Sequence, residues 1–225
     1  MKYYAIIVAG GKGNRMNNVV AKQFLVLNGL PVLMHTLAAF YKCVLNPEII
    51  LVMNIQQQSY WKELCSTYKF EIPHQLVNGG AQRFDSVKSG LNAIEGEGIV
   101  AIHDAVRPLV SAELILNSYQ MAEDKGNAVA AVQPVDSVRR IREGNTSEPL
   151  NRDELYLIQT PQTFTTVQLN QAYLQPFTNE FTDDASVVEM AGFAINILPG
   201  ERNNIKITYP QDLDLATFIL QKKGS

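Results

Sequence analysis

The chain has 225 residues, of which 46% are hydrophobic and 18% are charged, so it is long enough to bury a full core and we expect a single domain spanning residues 1–225. Its formal net charge of -3 at pH 7 excludes a broad basic field for nucleic acid, so any phosphate must be bound by local cations. With no run near the ~20 apolar residues of a membrane span and no leader pattern, we expect a cytoplasmic protein without membrane or nucleic-acid partners.

Apolar runs typical of strands alternate with segments of helical periodicity along most of the chain. The strands are predicted at 3–8, 49–53, 75–77, 99–103 and 128–132. The helices are predicted at 31–41, 56–68, 84–94, 112–125, 167–174, 185–191 and 211–221. This alternation predicts an α/β fold with a Rossmann-like, mostly parallel sheet and helices on both faces.

The first strand runs directly into a glycine-rich loop at 9–16, Ala-Gly-Gly-Lys-Gly-Asn-Arg-Met, followed by Ala-Lys-Gln at 21–23. Glycines let main-chain N–H groups approach an anion, and Arg15 and Lys22 add two cations, so the loop suits a polyphosphate. It is not a Walker loop, which needs Ser or Thr where Gly13 stands, and Met16 replaces the third glycine of a dinucleotide fingerprint. The alternative for the loop alone is a tight turn with two solvated cations.

Two more polar clusters follow predicted strands. Gly79-Gly80 precedes a predicted helix that starts near Ser86. The free N–H groups in the first turn of this helix would favour an anion or a polar base edge, and the alternative is a turn followed by an ordinary capped helix. Asp104 is a candidate ligand for a metal or a substrate hydroxyl, and Arg107 for a phosphate, unless the two form a structural pair. We interpret His103 as a core residue. Ligands bind at the carboxyl ends of parallel strands, so we expect these clusters and the glycine loop to meet in one crevice.

Residues 134–161 break the alternation of strands and helices. They contain a turn at 143–145 between two stretches that we predict as short strands, the second including 155–158. We call this segment the arm. A hairpin of that length cannot cover its own apolar face, so we expect it to pair with a second subunit in a homodimer.

Two further stretches carry candidate residues. Thr182 precedes a helix that opens with Asp183, where the plain interpretation is a helix cap and the functional one is a ligand contact. Lys206 lies in a strand-like run at 203–208, where a lysine needs an anionic partner unless it lies on a solvated edge.

Six ordered motifs together resemble the 2-C-methyl-D-erythritol 4-phosphate cytidylyltransferases over nearly the whole chain. They are the glycine-Arg-Met loop with Lys-Gln-Phe-Leu, Gly-Gly-x-x-Arg-x-x-Ser-Val-x-x-Gly-Leu at 79–91, His-Asp-Ala-Val-Arg-Pro at 103–108, Gln-Thr-Pro-Gln-x-Phe at 159–164, Thr-Asp-Asp-Ala-Ser at 182–186 and Asn-Ile-Lys-Ile-Thr-x-Pro-x-Asp-Leu at 204–213. The resemblance implies a reaction of CTP with methylerythritol phosphate that yields a CDP-polyol and pyrophosphate. It also implies a Mg²⁺ cofactor carried mainly on the CTP phosphates, with Asp104 as one candidate protein ligand.

The resemblance also assigns roles to individual residues. Arg15 and Lys22 would be catalytic and would stabilise the charge that develops on the α-phosphate. The residues implied to bind CTP are Ala9, Gly10, Gly11, Gly13, Gly80, Ala81, Ser86, Ala105 and Lys206. Those implied to bind the polyol phosphate are Asp104, Arg107, Ser137, Arg152 and Thr182, with Lys206 also within reach and Arg152 delivered by the neighbouring subunit.

Three alternatives remain open at this point. Gly10 and Val106 also match the ribitol-5-phosphate cytidylyltransferases, whereas residues 86–91 and 183–186 look more like the methylerythritol enzymes. A non-catalytic nucleotide-binding regulatory domain would lack one of the cations Arg15, Lys22 or Arg152. A sugar-1-phosphate uridylyl- or guanylyltransferase shares the glycine loop but has no reason to carry Arg152 against a polyol phosphate.

Overall fold

The structure is a computed structural model that describes residues 1–10 and 20–223. Within them, the strands are β1 (Tyr3–Val8), β2 (Val26–Leu27), β3 (Leu30–Pro31), β4 (Glu48–Met53), β5 (Gln75–Asn78), β6 (Ile99–Asp104), β7 (Asn127–Val132), β8 (Val138–Ile141), β9 (Ser147–Leu150), β10 (Leu157–Thr165) and β11 (Ile197–Pro199). The helices are α1 (Val32–Tyr41), α2 (Ile55–Thr67), α3 (Arg83–Leu91), α4 (Ala112–Lys125), α5 (Thr166–Ala172), α6 (Asp184–Met190) and α7 (Pro210–Lys223). Short 3₁₀ turns form at Lys22–Phe24, Glu143–Asn145 and Arg152–Glu154. None of the described helices is both long enough and apolar enough to cross a membrane.

Seven strands form one central sheet in the order β11-β7-β10-β6-β1-β4-β5. Neighbouring strands are parallel except at β10, which runs antiparallel to both β6 and β7. The predicted mostly parallel sheet is confirmed, and each of the five predicted strands matches an observed strand within one residue at either end. The seven predicted helices are also present, with ends displaced by at most three residues.

Successive residues of β1 point to opposite faces of the sheet, as the period of a strand requires. Ile7 packs in one buried cluster with Leu37 of α1, Trp61 of α2 and Ile115 of α4. On the other face, residues of β1 pack with side chains from α3, α5 and α6 in a second cluster. Helices therefore cover both faces, and the continuously apolar strands are buried on both sides.

The prediction for the second strand of the arm is wrong. The strand that pairs with β8 is β9, and residues 157–161 belong instead to β10 in the central sheet. Sequence reasoning missed β10 because its buried part carries Gln159, Thr160, Gln162 and Thr163, and because Pro161 is unusual in a central strand. The ladder to β7 shifts register between Ile158 and Gln162, which accommodates the proline.

Residues 203–208, predicted as strand-like, form no strand. Residue 203 lies in a turn, and residues 204–208 have no regular secondary structure. A hydrogen bond from Ile207 N–H to the Val106 carbonyl, at 2.9 Å, attaches them just past the end of β6. This attachment, rather than a place in the sheet, puts Lys206 beside β6.

Candidate active site

A crevice of about 710 Å³ opens at the carboxyl ends of β1, β4, β5 and β6. It is lined by residues 8–10, 22–23, 79–83 and 104–106, together with Asn54, Ser86 and Lys206. Backbone hydrogen bonds between neighbouring strands continue just past the strand ends. Ala9 N–H donates to the Val52 carbonyl, and Ala105 N–H donates to the Val8 carbonyl. The expected meeting of polar clusters at one edge of the sheet is thus confirmed for the described residues.

Most of the described candidate residues line this crevice. They are Ala9, Gly10, Lys22, Gly80, Ala81, Ser86, Asp104, Ala105 and Lys206. Four candidates lie elsewhere in the same chain: Arg107, Ser137, Arg152 and Thr182 do not line it. Gly11, Gly13 and Arg15 lie outside the described residues.

At one end of the crevice, main chain and a buried hydroxyl form the wall. Gly80 N–H donates to Ser86 Oγ at 3.1 Å, and Ser86 Oγ–H donates to the Gln82 carbonyl at 3.0 Å. Gln82 N–H in turn donates to Asp85 Oδ2 at 3.1 Å, which caps the start of α3. The loop before α3 is therefore held rigidly with little side-chain bulk, which suits recognition of a flat base by backbone groups.

Gly80 is required at its position by a close approach. A Cβ there would lie 2.2 Å from Asp85 Cβ, whereas among the described residues a Cβ at Gly10 would meet only Ser86 Oγ, at 3.3 Å. We expect Gly80→Ala to displace the loop and weaken CTP binding by about tenfold or more, because misplaced binding groups lose much of their contribution. The matched variant Gly10→Ala should bind CTP within about threefold of the wild type, because a hydroxyl can shift by a few tenths of an ångström.

Calorimetric titration of CTP into both variants measures this difference. If Gly80→Ala also binds CTP within about threefold of the wild type, the loop before α3 does not contact the nucleotide.

Gln23 fixes the exit of β1, and sequence reasoning missed it. Its buried side chain donates from Nε2 to the Ala9 carbonyl at 3.1 Å and to Gln57 Oε1 at 2.9 Å. The same 3₁₀ turn carries Lys22, whose Nζ donates to the Thr208 carbonyl at 3.3 Å. Lys22 is thereby set at the crevice between the end of β1 and the segment that carries Lys206.

The other end of the crevice is a cluster of charges around Asp104. Its carboxylate lies 2.9 Å from Lys206 Nζ, 3.5 Å from Arg107 Nε and 3.7 Å from Arg83 Nε. Burial alone would raise the pKa of Asp104, but the charges of Arg83, Lys206 and Arg107 outweigh burial and hold it well below its usual range. Asp104 is therefore ionised at neutral pH.

Arg107, expected to bind a phosphate, connects distant segments of the chain through hydrogen bonds in this structure. Its side chain is buried, and Nη1 donates to the Asn204 carbonyl at 2.8 Å. Asn204 Nδ2 donates in turn to the Thr160 carbonyl at 2.8 Å. Arg107 thus ties the segment carrying Lys206 to β6 and β10, while its proposed contact with a phosphate remains a prediction.

Arg83 was part of a motif but received no role from the sequence. Its guanidinium donates from Nη1 and Nη2 to the two carboxylate oxygens of Asp184, at 2.7 and 2.6 Å. Burial alone would lower the pKa of Arg83, but the charge of Asp184 and its hydrogen bonds raise it well above the usual value. The two partners are 101 positions apart, so no local pattern could have paired them.

His103 is a core residue, as predicted. It is fully buried against Phe40, and Nε2 lies 3.1 Å from the Arg107 carbonyl. Burial lowers its pKa to about 4, so the imidazole is neutral at pH 7. Its Nδ1 has no hydrogen-bond partner among the described residues. His103 does not line the crevice.

Residues 3–222 match the sequence model of the family described as 2-C-methyl-D-erythritol 4-phosphate cytidylyltransferase. The chain is 46% identical over 220 residues to the protein of that name from Phocaeicola vulgatus, covering 98% of this chain and 100% of the relative. It is 46% identical, again over 220 residues and with the same coverage, to the one from Bacteroides thetaiotaomicron.

The fold is also similar to solved structures. The crystal structure of 4-diphosphocytidyl-2C-methyl-D-erythritol synthase from Anaerococcus prevotii superposes with a TM-score of 0.83 at 30% identity, covering 98% of this chain and 99% of that one. The 2-C-methyl-D-erythritol 4-phosphate cytidylyltransferase from Thermus thermophilus superposes with a TM-score of 0.77 at 28% identity, covering 98% and 100%.

Proposed function

The chain belongs to the 2-C-methyl-D-erythritol 4-phosphate cytidylyltransferase family of isoprenoid synthesis, and we propose that its crevice joins CTP to 2-C-methyl-D-erythritol 4-phosphate. One observation carries the proposal. A single crevice has a wall of glycine main chain at one end and a cluster of Asp104 and Lys206 at the other, with Lys22 also on its wall. Relatives with the family's name over the full chain favour this activity over a ribitol-phosphate enzyme or a regulatory domain.

The reaction needs one bond formed and one broken. An oxygen of the polyol phosphate attacks the α-phosphorus of CTP, and the bond from that phosphorus to the oxygen bridging toward the β-phosphate breaks. Pyrophosphate leaves with the electron pair, and the CDP-polyol remains. The attacking phosphate is already an anion, so no side chain has to remove a proton, and the burial of neutral His103 is consistent with that.

CTP is proposed to bind at the glycine end. The main chain at 9–10 and 79–81 and the hydroxyl of Ser86 would hold the cytidine, because the close-packed loop leaves room for a base against backbone groups. Lys22, with Arg15 as its proposed companion, would then face the triphosphate. Cations held in place before the reaction stabilise the charge that develops on the α-phosphate and on the leaving pyrophosphate.

The polyol phosphate is proposed to bind at the charged end. The ionised Asp104 carboxylate accepts a hydrogen bond from a substrate hydroxyl, and Lys206 reaches the substrate's phosphate. Lys206 and Asp104 compensate each other before substrate arrives, so neither charge is left unpaired in the crevice.

Mg²⁺ is proposed to arrive on the phosphates of CTP. Across residues 1–10 and 20–223, no group of three or more His, Cys, Asp or Glu side chains is placed to hold a metal ion. Asp104 is already surrounded by three cations, which disfavours it as a direct ligand. Bound to CTP, the ion would neutralise phosphate charge and orient the leaving group, and the protein's cations act alongside it.

A homodimer is proposed from the surface of the arm. Large apolar side chains are exposed there, including Val135, Ile141, Tyr156 and Leu157, with exposures of 63%, 65%, 46% and 56%. Arg152 is exposed beside them, with Nη1 donating to the Val135 carbonyl at 2.8 Å, and it does not line the crevice of its own chain. Pairing of two arms would cover the apolar side chains and bring Arg152 to the partner's crevice.

A subunit-mixing experiment tests that arrangement. Lys22→Met and Arg152→Ala should each be poorly active alone, yet a mixed dimer would contain one crevice with native Lys22 and native Arg152. After unfolding and refolding of an equimolar mixture, we expect about a quarter of the wild-type activity, since about half the dimers are mixed and each has one intact site. Activity no higher than the mean of the two variants would contradict the sharing of Arg152 between subunits.

The activity itself is tested by release of pyrophosphate from CTP. Parallel reactions contain 2-C-methyl-D-erythritol 4-phosphate, ribitol 5-phosphate or no acceptor, each with Mg²⁺ and again with excess EDTA. We expect release only with the methylerythritol phosphate and only with Mg²⁺. Preference for ribitol 5-phosphate would overturn the proposed substrate, and activity in EDTA would overturn the proposed cofactor.

A further inference from the structure

Arg83 connects the start of α3, beside the proposed CTP site, with Asp104, at the proposed polyol-phosphate site. It begins α3, directly after the glycine wall of the crevice, and its guanidinium forms a two-pronged pair with Asp184 at the start of α6. Its Nε lies 3.7 Å from Asp104 Oδ1. One side chain therefore spans α3, α6 and the end of β6.

The guanidinium of Arg83 is held in place by Asp184. Each terminal nitrogen donates one hydrogen bond to Asp184, whose side chain is fully buried. Tyr173 donates its hydroxyl proton to Asp184 Oδ1 at 2.7 Å, so this carboxylate is held from two sides. A fork-shaped cation held from two points keeps a fixed orientation beside the crevice that it helps to line.

The clamp is anchored at the α6 side as well. Gln162 in β10 donates from Nε2 to Asp183 Oδ2 at 2.9 Å and accepts from Ala185 N–H at 2.8 Å. The start of α6 is thus fixed to the central sheet by β10 and to α3 by Arg83. Thr182, a candidate contact of the polyol phosphate, directly precedes this anchored start.

We propose that Arg83, clamped by Asp184, is a positioning residue that orients the Asp104 carboxylate toward the polyol phosphate. The inference rests on the proposed function, because Asp104 is taken to contact the polyol. Arg83 lines the crevice, but its proposed part is to hold Asp104 rather than to contact a substrate. Its contribution passes through Asp104, and Tyr173 contributes by holding Asp184.

The first test compares KM values with nucleotide affinity. We expect Arg83→Gln and Asp184→Asn to raise the KM for 2-C-methyl-D-erythritol 4-phosphate by about tenfold or more, while the Kd for CTP stays within about twofold. Tyr173→Phe keeps the ring stacked on Phe84, at 4.8 Å between centroids, and removes only the hydroxyl. That variant should fold normally and raise the same KM by about two- to fivefold, in line with the loss of one hydrogen bond.

The second test asks whether the effect passes through Asp104. Arg83→Gln is combined with Asp104→Asn, and the double variant is compared with each single one. If Arg83 acts through Asp104, adding Arg83→Gln to Asp104→Asn should change the KM for the polyol phosphate by less than about twofold. If Arg83 merely stabilises the fold, its effect should be the same with or without the Asp104 carboxylate.

Gln175→Ala is the matched control for a loosened α6. Gln175 Nε2 bridges the Ala172 and Val187 carbonyls at 2.8 and 3.0 Å, so its loss weakens the α5–α6 contact without touching Arg83 or Asp104. An equal rise in KM for this control, additive effects in the double variant, or an equal loss of CTP affinity would each overturn the proposal. The wild type is assayed first with the same polyol phosphate, so a failure of the proposed function would be visible before any variant is compared.

Discussion

Lys22→Met is expected to lower kcat for cytidylyl transfer by about 10²- to 10³-fold, with little change in the KM for the polyol phosphate. The side chain lies on the wall of the crevice, and the 3₁₀ turn that carries it is fastened to the end of β1 by Gln23. A cation held in advance at this place costs no reorganisation when charge develops on the α-phosphate. Methionine keeps most of the length of the side chain and removes the charge together with the hydrogen bond to the Thr208 carbonyl.

Lys88→Met is the matched control for the loss of one positive charge. Lys88 lies on α3 over the ring of Phe84, at 5.9 Å from its centroid, and does not line the crevice. Steady-state kinetics with both substrates should show kcat within about twofold of the wild type for this control. If the two variants lose activity equally, the effect is one of net charge, and the role of Lys22 in the transfer step is wrong.

Asp104→Asn is expected to lower kcat/KM for the polyol phosphate by about 10²-fold while leaving CTP affinity nearly unchanged. The carboxylate is mostly buried and compensates three cations, of which Arg107 is itself buried. Removal of its charge takes the paired carboxylate from Lys206 and Arg107, whereas Arg83 keeps Asp184, and it deprives the substrate of an ionised acceptor. Initial-rate kinetics at saturating CTP measure the first effect, and titration of CTP measures the second.

The same substitution should also lower the free energy of unfolding, by about 3 kcal/mol at pH 7. The pKa of Asp104 is lowered in the folded state, so the stabilisation is fully present above the unfolded value of about 3.9 and is lost as the pH falls toward the lower folded value. The difference between wild type and variant should therefore be constant from pH 5 to pH 8, within about 0.5 kcal/mol, and shrink below about pH 4.

Urea unfolding at several pH values measures this difference, with Asp124→Asn as the control. Asp124 is an exposed carboxylate on α4, and its variant should match the wild type within about 0.5 kcal/mol at neutral pH. A difference for Asp104→Asn that persists unchanged at pH 3 would show that its charge does not stabilise the fold.

Much of the fold was predictable because burial leaves a local pattern. The strands on which the crevice is built are largely apolar. Glycines follow β1 and β5, and β6 ends at Asp104, so both the sheet and the edge that binds ligands could be predicted. β10 could not, because its buried polar side chains are satisfied by partners distant in sequence. Gln162, for example, bonds to Asp183 and Ala185, and Thr163 bonds to Ser118.

The sequence by itself determined the fold class, the positions of the main elements and the set of residue types that a nucleotidyl transfer needs. These follow from periodicity and from short motifs, which are properties of neighbouring residues. Only the tertiary structure decided that Arg107 is buried and bonded to the Asn204 carbonyl, that Arg83 pairs with Asp184, and that Lys206 reaches Asp104 from outside the sheet. Ion pairs and buried hydrogen bonds depend on which distant segments the sheet brings together, and that depends on packing of the whole chain rather than on any local pattern.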